Sequence, residues 1–252
     1  MLLALISGAA LVVTLGGAVA VHRFLPHHSR KSYDEVNGVF FATIGVLYTV
    51  LLAFVVVAVW EDYDTAKTNT YTEANAIPGL YYSATLFPTA NQVAIQNATV
   101  AYARDVVDDE WSLLATGGES PKVDADASAM RKALLQLPVQ TLQQQAIYSS
   151  MIDRVNTINS SRRQRISDTD PSIPGFFWVG LLTGAALLVL LGLFFGVPRL
   201  VPHLLMLVVL VVIVSGSLFL AYLMEQPFRG PMGLEPAAFE ISLVQMGQPT
   251  GK

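Results

Sequence analysis

The stretch Gly38 to Trp60, GVFFATIGVLYTVLLAFVVVAVW, runs without a single Asp, Glu, Lys or Arg and passes straight into Glu61 to Ile77, EDYDTAKTNTYTEANAI, which is polar and free of Gly and Pro. The hydrocarbon core of a bilayer is about 30 Å thick and takes about 20 apolar helical residues to cross. The first part therefore has the length and composition of a membrane span. Nothing in the second part stops a helix before Pro78-Gly79, so span and extension read as one helix of about 40 residues, about 60 Å long at 1.5 Å per residue. The extension, residues 61–77, is a stalk, either simply solvated or lining a vestibule where a pore opens.

Three more stretches share the character of the first part: Leu2 to Val21, Gly175 to Val197 and Leu204 to Met224. None contains a charged residue, although the chain carries 15 Lys and Arg and 19 Asp and Glu. A soluble helix of that length would show a charged stripe. The chain is 53% hydrophobic and 13% charged, about half the roughly 25% charged content of soluble domains. The fold class is therefore an all-α membrane protein with four transmembrane helices in a 2+2 arrangement and a helical extramembrane domain between helices 2 and 3. The first pair lies in residues 1–60, the extramembrane domain in 61–172, the second pair in 173–224 and a polar tail in 225–252. The lipid bilayer is the first partner and the cell membrane the expected location. Ala18-Val19-Ala20 ends the first span with a pattern resembling a signal-peptidase site, but no Lys or Arg precedes it and the apolar run is long, which favours a retained helix.

Residues 89–115 and 127–166 have helical composition, the latter broken near Pro138, with a Gly, Ser, Pro and Asp loop at 116–126. Residues 61–172 hold 14 acidic and 9 basic side chains, an ordinary solvated surface. In the third span Gly180 and Gly184 form one G-x-x-x-G and Gly192 and Gly196 another, spacing that lets helix backbones approach in lipid. Orientation stays open by charge. Arg23, Arg30, Lys31 and Arg199 flank the spans on the connector side, against Lys67, Arg162, Arg163, Arg165 and Arg229 on the domain side. The uncharged N-terminus before a basic flank favours the terminus, and with it the central domain, outside.

Without cysteine there is no disulfide, thiolate nucleophile or cysteine-held metal. A net charge of −4 leaves no electrostatic footprint for nucleic acid. His22, His27, His28 and His203 share the connector side, but lack the spacing of a metal motif, so no metal or other cofactor is expected. No phosphate loop or nucleophile elbow is present, and Asp108, Asp109 and Glu110 read as a solvated acidic patch. The chain is not expected to be an enzyme. Spans without ionisable residues also argue against a proton-coupled pump. A passive pore is compatible with them, since hydrophobic constrictions and hydroxyls can gate and select. The second span offers Phe40, Phe41, Thr43, Tyr48, Thr49 and Phe54 as pore-lining candidates. Four helices are too few to enclose a channel, so a pore requires a homo-oligomer.

Three short motifs carry a resemblance: Leu-Leu-Ala-Phe at 51–54, Thr-Glu-Ala-Asn-Ala-Ile at 72–77, and Gln-Pro-Phe-Arg-Gly at 226–230. In order and spacing they resemble the bacterial bestrophin-like domain family, named for a remote similarity to bestrophins, which are pentameric anion channels with a hydrophobic neck on the second helix. The resemblance implies a neck within Phe40 to Phe54, a small anion as the conducted species, and structural roles for Glu73, Asn75, Pro227 and Phe228. It also implies a cytoplasmic central domain, opposite to the charge argument. No acidic calcium clasp is recognisable. The alternative to a channel is a membrane-anchored interaction or sensory protein that binds a partner through its central domain.

Overall fold

The computed structural model describes residues 2–25 and 30–249, with side chains from Gly8 onward. Every regular element among the described residues is helical. In chain order the main ones are α1 (Leu2–Phe24), α2 (Asp34–Ser83), α3 (Thr89–Asp105), a π turn (Val106–Glu110), α4 (Trp111–Leu114), α5 (Pro121–Leu135), α6 (Leu142–Ser167), α7 (Gly175–Leu193), α8 (Leu200–Met224) and α9 (Ala237–Gln245), with short 3-10 turns at Ala84–Leu86 and Gly230–Met232. The chain divides into two compact units: 1–60 with 173–225, and 61–172 with 226–252.

In the first unit α1 packs chiefly against α8 and also against α7, and α7 against α8. Helices α2, α7 and α8 are long and apolar enough to cross a membrane, and Gly8–Phe24 of α1 is a shorter apolar stretch. The helix expected over Gly175 to Val197 is shorter than that apolar run, because α7 stops at Leu193 and Gly196 lies beyond it. The helix expected from Leu204 begins earlier, at Leu200, with Pro202 in its first turn, where a missing N–H costs no intrahelical bond.

The end of α7 is closed by residues from afar. Its last carbonyls lose their i+4 donors; the Phe194 and Phe195 N–H groups reach Leu191 O and Gly192 O at 3.1 and 3.4 Å, Asn37 Nδ2 and His203 Nε2 add donors to the same two carbonyls at 3.0 and 2.9 Å, and just past the helix Arg30 Nη1 donates to Phe195 O at 3.0 Å. The Gly196 N–H donates to Asp34 Oδ1 at 2.6 Å.

The second unit is built on the C-terminal part of α2, with α3, α5, α6 and α9. Ile77, Leu80, Ile95, Tyr102, Met130, Leu134, Ile158 and Phe239 form its core. Ser120 caps α5, its hydroxyl accepting from the Lys122 and Val123 N–H groups, with Pro121 in the first turn. Thr141 caps α6 in the same way through the Gln144 N–H.

The largest departure from expectation is at Pro78. The helix does not stop there but runs on to Ser83, giving 50 residues in one element. A proline inside a helix deprives the carbonyl four residues earlier of its donor, here Ala74 O. The structure supplies a substitute: the Ser242 hydroxyl on α9 donates to Ala74 O at 2.8 Å. The tail expected to be merely polar is thus structural, with Phe239, Ser242 and Leu243 buried.

Candidate functional site: the open face of the second helix and the buried charge cluster

Residues three, four and seven apart on a helix share a face. Along α2 two rows spaced by seven are exposed throughout: Val36, Thr43, Val50, Val57, Asp64 and Tyr71, and beside them Phe40, Leu47, Phe54, Glu61, Thr68 and Asn75. Phe54 is 72% accessible and Leu47 65%. A seven-residue repeat is the period at which neighbouring helices stay in register along their length. Both rows change from apolar to polar at Trp60-Glu61.

Of the six pore-lining candidates, Phe40, Thr43, Thr49 and Phe54 are exposed. Phe40, Thr43 and Phe54 lie on the two rows, and Thr49 lies to one side. The other two candidates point into the first unit. Phe41 meets Phe195 edge-on, with ring centroids 5.4 Å apart, and Tyr48 is only 6% accessible. The hydroxyls of Thr43 and Thr49 are spent on the carbonyls of Val39 and Gly45, both at 2.8 Å. The open wall therefore presents mainly hydrocarbon.

Tyr48 packs on α7 at Gly184, where a Cβ would stand 2.7 Å from the Tyr48 ring. The other glycines of the two motifs differ. A Cβ at Gly180 would meet Leu51 at 3.7 Å, ordinary contact, whereas one at Gly192 would meet Leu207 at 3.0 Å. At Gly196, past the helix end, it would crowd Asp34 and the Lys31 backbone, so this glycine serves a loop rather than a helix face.

The second unit encloses a charge cluster. Arg165 and Glu73 are each 0% accessible. Arg165 donates through Nε to Glu73 Oε2 at 2.8 Å, and through Nη2 to Glu73 Oε1 at 3.0 Å and Glu110 Oε1 at 2.8 Å. Arg162 grips Glu110 from the other side, Nε at 3.1 Å from both oxygens and Nη2 at 2.5 Å from Oε2, and its Nη1 pairs with Asp124. The Tyr102 hydroxyl completes the group with a 2.6 Å bond to Glu73 Oε1. The faces of Trp111 and Phe239 lie 5.6 and 5.4 Å from the Arg165 guanidinium carbon. Paired, hydrogen-bonded ions are the form in which charge survives burial.

Burial alone would raise the Glu110 carboxyl, but the two guanidiniums outweigh it and hold it below its ordinary range. Burial, and then the Glu73 carboxylate, push the Tyr102 phenol well above its own. Chemically the cluster is a set of ions and a phenol bonded to one another inside the second unit. It joins α2, α3, the π turn and α6. The extra residue per turn of the π segment accompanies the placement of Glu110 inward, although Asp108 and Asp109 beside it read like a surface patch.

Comparison with known proteins matches the bestrophin-like domain over residues 8–239. This chain belongs to the bestrophin-like domain family. A bacterial bestrophin homologue from Klebsiella pneumoniae, solved carrying a point substitution, has a TM-score of 0.72 at 15% identity, covering 94% of this chain and 98% of that one. A second structure of a bacterial bestrophin homologue from Klebsiella pneumoniae has a TM-score of 0.70 at 14% identity, covering 95% of this chain and 98% of that one. No curated protein sequence matches.

In this bestrophin-like chain the three motifs have separate placements. Glu73 is in the cluster and Asn75 is exposed on the open row of α2. Phe228 is buried edge-on to Trp111 with centroids 5.7 Å apart, and the carbonyl of buried Pro227 accepts the Leu234 N–H at 2.7 Å. Of the histidines, His22 and His203 meet at 3.1 Å, while His27 and His28 lie outside the described residues. Among the described residues no group of three or more His, Asp or Glu is placed to hold a metal ion. Sequence reasoning missed Tyr102, Glu110, Arg162, Arg165 and Ser242 as structural groups. The spacing of Arg162 and Arg165, three apart on α6, was the available signal.

Proposed function

We propose that this bestrophin-like chain is an ion channel of the membrane, formed when copies of it gather around the open face of α2. In this reading α1, α2, α7 and α8 are the four spans in a 2+2 arrangement and residues 61–172 stand outside the bilayer. The observation that carries it is the pair of exposed rows on α2, repeating every seven residues from Val36 to Asn75 and apolar up to Trp60. Lipid alone would satisfy the apolar part, but it gives no reason for the same rows to continue through the polar part.

Phe40, Thr43, Leu47, Val50, Phe54 and Val57 would then face the axis and form a constriction that gates by dewetting. The resemblance implies a small anion as the conducted species. The charges at the polar mouth act against it, because Glu61 and Asp64 both lie on the open rows, and rings of carboxylates concentrate cations.

The purified protein should form oligomers of one size and carry ions across liposomes. Phe54→Ala should raise the flux, and Glu61→Gln with Asp64→Asn should lower the ratio of cation to anion permeability. Monomeric particles in a tight bilayer would end the proposal.

A further inference from the structure

We infer that the cleft between α5 and α6 is a binding site for a small phosphate-bearing anion. The cleft has a volume of about 380 Å³ and is lined by Asp124, Ser128 and Arg131 from one helix and by Asn159, Arg162 and Arg163 from the other. The spacing explains the convergence: positions three and four apart put 124, 128 and 131 on one face of α5, and 159, 162 and 163 on one face of α6.

Three guanidiniums thus surround a space large enough for a diphosphate, within a region whose charge over residues 61–172 is negative. Arg162 is already neutralised by Glu110 and Asp124. The other two are not. Among the described residues Arg163 has no ion pair, and Arg131 makes only a 3.4 Å contact with the Asn156 amide oxygen. Ser128 and Asn159 contribute a hydroxyl and an amide that make no side-chain hydrogen bond with the protein among the described residues. Guanidinium forks match phosphate oxygens in pairs, and with Asp124 the one carboxylate in the lining, the excess of guanidiniums favours an anion as the counter-ion.

The electrostatics also define a competitor. Asp124 is half-exposed, lines the cleft and occupies Arg162 Nη1. An entering phosphate would replace it, so the ligand and Asp124 compete for one guanidinium. That links occupancy to the buried cluster, since the same arginine holds Glu110.

Calorimetric titration of the full chain in detergent with inorganic pyrophosphate, at constant ionic strength set by sodium chloride, tests the site. Saturable binding is expected, weakened at least tenfold in Arg131→Gln and in Arg163→Gln, tightened in Asp124→Asn, and unchanged in Arg104→Gln. The altered arginines are exposed, and an unchanged melting temperature would confirm that the fold is intact. A parallel arm replaces pyrophosphate with phosphatidic acid in nanodiscs. Variant-sensitive binding in the first arm assigns a soluble ligand, and variant-sensitive binding in the second alone assigns a lipid headgroup. Absence of saturable binding in both arms, or binding indifferent to the double variant Arg131→Gln/Arg163→Gln, would overturn the site.

Discussion

A single hydroxyl closes the gap that Pro78 opens in α2. Ser242 Oγ reaches Ala74 O from an element 168 residues away in sequence, and it is 1% accessible, so water has no access to take its place. Leaving a buried acceptor unpaired costs about 1–3 kcal/mol. Ser242→Ala should lower the melting temperature by that loss, and Ser242→Thr, which keeps the hydroxyl, should recover most of it. Asp126 is a second residue with a measurable signature. Burial first, and then the hydrogen bond and charge of Asp105, raise its carboxyl to about 6 against the opposing charge of Lys122. The unfolded chain releases this proton near 3.8, whereas the folded chain holds it until about 6. Stability therefore declines as pH rises through that window, and the cost is full above it. Asp126→Asn should melt higher than the parent at pH 7 and no differently at pH 3.

Among the elements, α7 offers a matched pair of substitutions. Gly184→Ala puts a methyl against the Tyr48 ring, whereas Gly180→Ala meets Leu51 at an ordinary 3.7 Å. Overpacking costs about 1–3 kcal/mol, so Gly184→Ala should reduce thermal stability in detergent and Gly180→Ala should not. Tyr48→Leu should restore the first. The G-x-x-x-G spacing was legible in the sequence, but the difference between its two members was not, because it depends on which side chain of α2 arrives opposite. The long apolar helices α2, α7 and α8 were legible for a related reason: a lack of charge over about 20 residues needs no knowledge of neighbours. Stops were less so. Pro78 looked terminal because the donor that rescues Ala74 comes from α9, and α7 ends four residues before the apolar run does, where Asn37 and His203, distant in sequence, reach its last carbonyls. On α2, composition put Phe41 and Tyr48 together with Phe40 and Phe54, and only packing against α7 and its following loop separates them.

At the scale of the whole molecule, the buried cluster determines how much of the second unit fails together. Arg165 is the central ion: it bonds to Glu73 of α2 and Glu110 of the π turn, and it stacks near Phe239 of α9. Removing one partner of a buried pair leaves a stranded charge and costs about 3–5 kcal/mol. Arg165→Met should lower the denaturation midpoint by that order, and adding Glu73→Gln should return part of the loss. The cluster was only half legible in the sequence. Glu73 stood out in its motif, but its partners lie 92 residues away on α6 and, through Arg165, in the π turn; the spacing of Arg162 and Arg165 marks a shared face of α6 without showing that it turns inward, and nothing local marks Glu110.

The junction of Ser242 with Ala74 also bears on the order of synthesis. A ribosome makes the second helix early, yet that helix cannot satisfy all of its own backbone until the segment around residue 242 has emerged. The longest element is among the first made and the last completed. A stop codon or a proteolytic cut ahead of Ser242 would therefore be felt in the middle of α2, and C-terminal integrity becomes a condition for the helix on which the proposed channel is built.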